Sequence, residues 1–263
     1  MGDERDIADV SRFLREAGLG PERIREGNSR GCKRCDLWAE DGHENYLIEV
    51  KAFYDDATIN ETLRKGDIHE RVHLHVYRDN VAKGIRHAIR QVESTAREYA
   101  DALWLVALIA RSEYDACFMS EQMIGTLYGV GAISDCGADG GCRRRRCLYF
   151  SDSAFHRHPV LDGAILWDRE CVALYLNDYG RRLARVRRSR LACFLAQHNA
   201  LHDKDTMESR SDDLVADFEM DRTDEQAVLE RLKEKYPGRD LQQRNWQRWE
   251  GIGVSSPRQG EGV

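Results

Sequence analysis

The sequence predicts an α/β fold, a mixed central sheet flanked by helices with a strand-rich C-terminal extension. Three observations predict it. An amphipathic helical pattern opens the chain at 6–17. Two strand-like segments, 35–40 and 46–53, flank Asp41-Gly42, a strong hairpin-turn signal. A second helical pattern at 84–100 then leads into Ala102–Ala110, nine consecutive hydrophobic residues. A run of that length and composition suits a strand covered on both faces.

The elements follow in order. Ile7, Val10, Phe13 and Leu14 recur at helical spacing, and Gly18, Gly20 and Pro21 end the helix. Residues 22–27 can form a short strand before the turn at 28–31. The segment 46–53 is rich in β-branched and aromatic residues. Residues 54–82 have no clear period, although 73–77 suits a short strand. In 84–100, Ile85, Ala88, Ile89, Val92 and Ala96 point inward. Further on, 121–133 reads as a helix and 134–147 as a Gly- and Cys-rich loop. Strands are expected at 147–152, 163–168 and 171–178, the last two forming a tight hairpin. One helix is expected over 180–200, with Leu183, Val186, Leu191, Phe194 and Leu195 on its apolar stripe. Residues 201–222 are polar and acidic and predict a linker. A short helix is expected at 224–236, and the last residues are tail-like. Three units result: a core over 1–110, a strand-and-helix extension over 111–200, and an acidic linker, helix and tail over 201–263.

The chain has 263 residues, 41% hydrophobic and 33% charged, which suits a globular protein with a charged surface. No apolar run approaches the ~20 residues that span a bilayer. The N-terminus has no apolar signal segment. A cytoplasmic protein with no membrane partner is expected. The net charge of −6 is uneven, since 201–263 holds fifteen acids against ten bases. A nucleic-acid partner needs clustered bases rather than net positive charge, so composition does not exclude one. The eight cysteines are expected to be reduced thiols.

The chemistry concentrates on the first hairpin. Side chains alternate along a strand, so Leu47, Glu49 and Lys51 share one face, and the apolar Ile48, Val50 and Ala52 share the other. Asp36 begins the partner strand and can approach Glu49. Burying such charges costs several kcal/mol unless they pair or bind a metal. Two carboxylates beside a lysine suit a hard cation. Mg²⁺ prefers a few carboxylates, with waters and phosphate oxygens completing its sphere. Lys51 can orient a water or stabilise charge developing on phosphate.

Asp36, twelve intervening positions, then Glu49-Val50-Lys51 resembles the signature of the PD-(D/E)XK, or restriction-endonuclease-like, nuclease superfamily. The order helix-strand-hairpin-helix-strand over 6–110 is similar to that superfamily's core. The resemblance implies Mg²⁺- or Mn²⁺-dependent hydrolysis of DNA, in genome defence, restriction or repair. It implies Asp36 and Glu49 as metal ligands, Lys51 as the residue assisting water, and Gln91 as a supporting residue on the following helix, with Tyr99 eight residues later. A first-helix acid often completes the metal site, and Asp6 and Asp9 both match. Cys35 stands where the family often has proline, and 54–82 would be an insertion.

Other signals are weaker. Cys32 and Cys35 form a CxxC pair that could bind zinc with two of Cys136, Cys142 and Cys147, although the second group lacks knuckle spacing. His69, His73 and His75 lie in the unclear segment, where a solvated polar face competes with metal binding. Two basic clusters stand out, Arg143–Arg146 and the run 181–190. On one continuous helix, Arg181, Arg185 and Arg188 would share a face that could grip a DNA backbone. The alternative is a solvated face paired to the acidic segment 208–225. A catalytically inactive nucleic-acid-binding or assembly module, or a zinc-stabilised interaction protein, are the rival functions. Assembly as a homo-oligomer or within a larger complex is left open.

Overall fold

The computed structural model describes residues 4–24, 34–54, 79–96, 98–111, 116–136, 141–168 and 171–243. Cys32, the histidines at 69, 73 and 75, the strand expected at 73–77 and the C-terminal tail lie outside the described residues. The first elements are α1 (Glu4–Glu16), β1 (Gly20–Arg23), β2 (Leu37–Glu40), β3 (Asn45–Tyr54), α2 (Asp79–Thr95) and β4 (Leu103–Arg111). Then come α3 (Ala116–Tyr128), β5 (Gly131–Cys136), β6 (Cys142–Leu148), α4 (Ala154–Arg157), β7 (Gly163–Trp167) and β8 (Val172–Leu176). The chain continues through α5 (Leu183–Arg187), α6 (Arg190–Gln197), β9 (Leu201–His202), α7 (Lys204–Ser211), β10 (Leu214–Val215), α8 (Glu225–Lys235) and β11 (Asp240–Gln243).

Seven strands form the main sheet in the order β1-β2-β3-β4-β7-β8-β9. The sheet is mixed. β2 and β3 pair antiparallel as the expected hairpin, β3, β4 and β7 run parallel, and β8 returns antiparallel to β7. β4 is central and buried on both faces, which explains its unbroken apolar sequence. The fold is therefore the mixed α/β sheet flanked by helices that the sequence predicts. The sheet continues through β7–β9, so the boundary expected at residue 110 cuts across it.

Alternation along β3 and β4 separates two cores. Leu47, Val106 and Leu108 pack against α2 and α3 with Ile85, Ile89, Met123 and Leu127. Ile48, Val50, Leu105 and Ala107 pack against α1, α5 and α6 with Val10, Leu14, Val186 and Leu191. A smaller sheet, in the order β10-β6-β5-β11, closes a third core with α8.

Four expectations are corrected. The helix expected over 180–200 is two helices, because the Ser189 hydroxyl accepts a hydrogen bond from the Ala192 N–H and caps α6. Residues 201–222 do not form a linker. Asp203 and Thr206 cap α7 reciprocally, and Met207, Leu214, Val215 and Ala216 are buried. Their acids pair with bases from other segments, as Asp213 does with Arg146 and Asp203 with Arg187. Arg143–Arg146 lie in strand β6, which starts earlier than the strand expected at 147–152. Lastly, Cys136 and Cys142 face each other across the β5–β6 hairpin and form a disulfide. Cross-strand register brings them together despite the intervening Gly-rich sequence.

The turn after α3 depends on Gly129. Its φ is +63°, and a Cβ there would lie 2.2 Å from the Ser151 carbonyl oxygen. Gly129→Ala should therefore cost on the order of 3 kcal/mol, combining backbone strain with a clash that rigid backbone cannot relieve. Guanidinium titration of both proteins checks this, and an unchanged midpoint would show that the turn rearranges freely.

Candidate active site on the first hairpin

Glu49 sits in the middle of β3, opposite Val106 of β4, and has no exposed surface. Alternation with Leu47 points it to the α2 face of the sheet. Lys51, two residues on, shares that face. Its Nζ donates to Glu49 Oε1 at 2.9 Å and to Gln91 Oε1 at 3.2 Å. Gln91 projects from α2, so one lysine ties the strand to the helix that covers it.

Asp36 enters from the residue before β2. Its Oδ2 accepts the Val50 N–H at 2.9 Å, which anchors the carboxylate against β3 next to Glu49. The approach is fixed from the other side as well. Thr95 Oγ1 accepts the Cys35 N–H at 2.9 Å and donates to the Gln91 carbonyl. Thr95 thus positions both the segment carrying Asp36 and the turn carrying Gln91. Thr95 belongs to no motif in the sequence. Its spacing of four residues from Gln91, on the same face of α2, is the signal that could have found it. Tyr99 lies beyond the end of α2, with its ring centroid 4.8 Å from that of Trp38.

The electrostatics follow from burial. Desolvation pushes the Glu49 carboxyl up to about 7, and the neighbouring Asp36 charge adds to this, while Lys51 opposes it. Burial also raises the Asp36 carboxyl, against the stabilising Val50 N–H. Burial alone would depress the Lys51 ammonium, but the Glu49 carboxylate outweighs it and holds the ammonium above its ordinary value. The cluster is acidic and largely buried, with two carboxyl groups beside one ammonium. Among the described residues Glu49 Oε2 is buried without a hydrogen-bond donor, and a proton on Glu49 would be shared with Asp36.

Asp36, Glu49, Lys51 and Gln91 therefore come together. The other candidates do not join them. Asp6 is fully buried, but Arg111 Nε and the Tyr54 hydroxyl hold it at 2.9 Å each, and Arg111 also pairs with Asp9. Tyr54 and Arg111 share the strand parity of Val50 and Ala107, so this cluster lies on the α1 face, opposite Glu49. Neither first-helix acid completes the Asp36–Glu49 pair. The arginine face is also broken. Arg181 precedes α5, Arg188 caps its C-terminal end and donates to the Ala184 carbonyl, and Arg185 is bound to Glu44 at 2.6 Å. These two helices pack on the α1 face, so the run does not line the side of the sheet to which Glu49 points.

Among the described residues no group of three or more His, Cys, Asp and Glu side chains could hold a metal ion. The disulfide removes Cys136 and Cys142 as zinc-binding thiolates, and Cys147 is buried. No described helix is long and apolar enough to cross a membrane.

No family model and no curated protein matches the chain. Among solved structures it is similar to Hjc, a Holliday junction resolvase from the archaeal hyperthermophile Archaeoglobus fulgidus. The identity is 19%, the match covers 42% of this chain and 69% of that one, and the TM-score is 0.25. A likeness of that size carries no argument about function.

Glu49 also makes stability depend on pH. Its folded pKa of about 7 lies above the ordinary value of 4.5. Between those values the native state holds more of this proton than the unfolded state does. The metal-free protein should therefore lose stability as pH rises from about 4.5 to 7, and level off above that. Glu49→Gln removes this slope and should raise stability at pH 8 by on the order of 2 kcal/mol. Thermal melts in chelator across that range test it, and a variant no more stable than wild type at pH 8 would contradict the burial argument.

Proposed function

We propose that the chain hydrolyses phosphodiester bonds in DNA with a divalent cation, Mg²⁺ or Mn²⁺. The observation that carries this reading is Glu49 Oε2, a buried carboxylate oxygen that meets no hydrogen-bond donor among the described residues when ionised, next to a second anchored carboxylate with which it can share a proton. An oxygen left that way costs on the order of 1–3 kcal/mol or more, and a cation would offset the cost. The donor set fits. Asp36 and Glu49 supply hard oxygens, and two carboxylates leave room for waters and phosphate oxygens in an octahedral sphere.

When bound, the cation supplies Lewis-acid polarisation of a phosphoryl oxygen and lowers the pKa of coordinated water. The protein's own residues do the rest. Asp36 and Glu49 hold the charge in place, the former oriented by the Val50 N–H. Lys51 spends one hydrogen bond on Glu49 and one on Gln91, which fixes its ammonium over the α2 face. From there it aligns the attacking water or meets negative charge growing on the phosphate. Gln91 positions Lys51. Thr95 holds Gln91's turn and the Asp36 segment together.

Plasmid cleavage with Mg²⁺ or Mn²⁺, alongside calorimetric titration with Mn²⁺, tests these roles. Lys51→Ala should lower cleavage by at least about 10²-fold yet leave Mn²⁺ affinity equal or higher, because a positive charge has been removed. Asp36→Ala should abolish both. Normal cleavage by Lys51→Ala, or wild-type Mn²⁺ affinity in Asp36→Ala, would overturn the assignment. Metal binding without cleavage by wild-type protein would favour an inactive binding module.

A further inference from the structure

We infer that the β6 edge is a second anionic-ligand site, which holds the sugar-phosphate backbone of the nucleic acid. The inference deepens the nuclease reading and rests on it for the identity of the polymer. Four consecutive arginines, Arg143–Arg146, run along β6. On one side β6 pairs with β5 from Cys142 to Cys147. On the other, β10 pairs only with Cys147 and Leu148. Among the described residues no strand therefore pairs with β6 along its arginines there. A cavity of about 380 Å³ lies against this stretch, lined by the four arginines and the 211–213 turn.

The cavity's charges are organised rather than neutralised. Arg145 is held by Asp135 at 2.5 Å and by Asp212. Arg146 is held by Asp213 at 2.8 Å and by Glu121 at 3.0 Å. Arg239 reaches Asp135 and Asp212. Five arginines and four acids thus meet here, with two guanidinium planes already fixed. Arg143 and Arg144 are exposed at the open end. Fixed guanidinium forks suit phosphate oxygens, which they bind bidentately without reading sequence.

The acids differ in a way that suits exchange. Asp213 is 5% exposed and stays with Arg146, whereas Asp212 is 60% exposed. A phosphate can displace Asp212 from Arg145 at little desolvation cost, while Asp213 keeps the pocket's frame. Glu121, which holds Arg146, belongs to α3, and α3 packs with α2 on the face of the sheet to which Glu49 points.

The test is binding of a short fluorescent DNA duplex to the full chain in chelator, read by anisotropy over a range of salt. Arg143→Ala/Arg144→Ala should weaken binding about tenfold and flatten the slope of log affinity against log salt by about 1–2, because each phosphate contact releases counterions. Asp212→Asn should tighten binding several-fold, since it frees Arg145, and asparagine tolerates the left-handed backbone at φ +57°. Opposite signs from two neighbouring changes are not what a merely structural role would give. Wild-type affinity and slope in the double variant, weaker binding by Asp212→Asn, or no duplex binding by the wild type would each overturn the site. Plasmid cleavage is scored separately. Cleavage with unaltered binding in the double variant leaves the nuclease reading standing and removes this surface. Arginine-dependent binding without any cleavage does the reverse.

Discussion

A carboxylate with no exposed surface, in the middle of an inner strand, is the constraint around which the first half of the chain is arranged. Glu49 cannot be solvated, so its neighbours must meet its charge. Lys51 does so from the same strand, Gln91 fixes Lys51 from α2, and Thr95 fixes the chain that delivers Asp36. Each contact is short and specific, and each fixes how one element sits on another. The hairpin register, the position of α2 and the path into β2 are thereby coupled to a single buried oxygen pair. Asp36 adds charge rather than relieving it, which makes the pair costly in the absence of a cation.

The parallel β3–β4 pair divides the labour between two faces. On the α1 face the acids are satisfied, since Arg111 and Tyr54 take up Asp6 and Arg111 takes up Asp9. That cluster locks α1 to the ends of β3 and β4 and leaves no oxygen comparable to Glu49 Oε2 among its buried atoms. Two acid clusters of similar composition thus differ in completeness. Only geometry separates them, and the proposed chemistry is placed at the incomplete one.

The sequence showed the hairpin, β4 and the convergence of Asp36, Glu49 and Lys51 because those features rest on local rules. These are alternation along a strand, a two-residue turn signal and an unbroken apolar run. Gln91 was legible through the family resemblance and its place on the covering helix. What the sequence hid depends on partners far away in the chain. The acidic stretch after 200 looked unable to fold alone. It folds because Arg146 and Arg187 reach its acids while Leu214 and Val215 enter the cores. The basic run at 181–190 looked like one amphipathic face until Ser189 interrupted it. In the same way, no local period reveals that Cys136 and Cys142 stand opposite each other, since that follows from the β5–β6 register.

The asymmetry within Glu49 is the final step in relating fold to function. If Lys51 bridged both carboxylate oxygens, the pair would be a closed internal salt bridge, and replacing it with apolar residues would cost little. Instead Oε1 is bonded and Oε2 is not. Lys51 gives its other hydrogen bond to Gln91 on α2. On the proposed reading a divalent cation is the ligand that meets this oxygen beside the second carboxylate. On the same reading Lys51, held by Glu49 and Gln91, is the residue that assists hydrolysis of the phosphodiester.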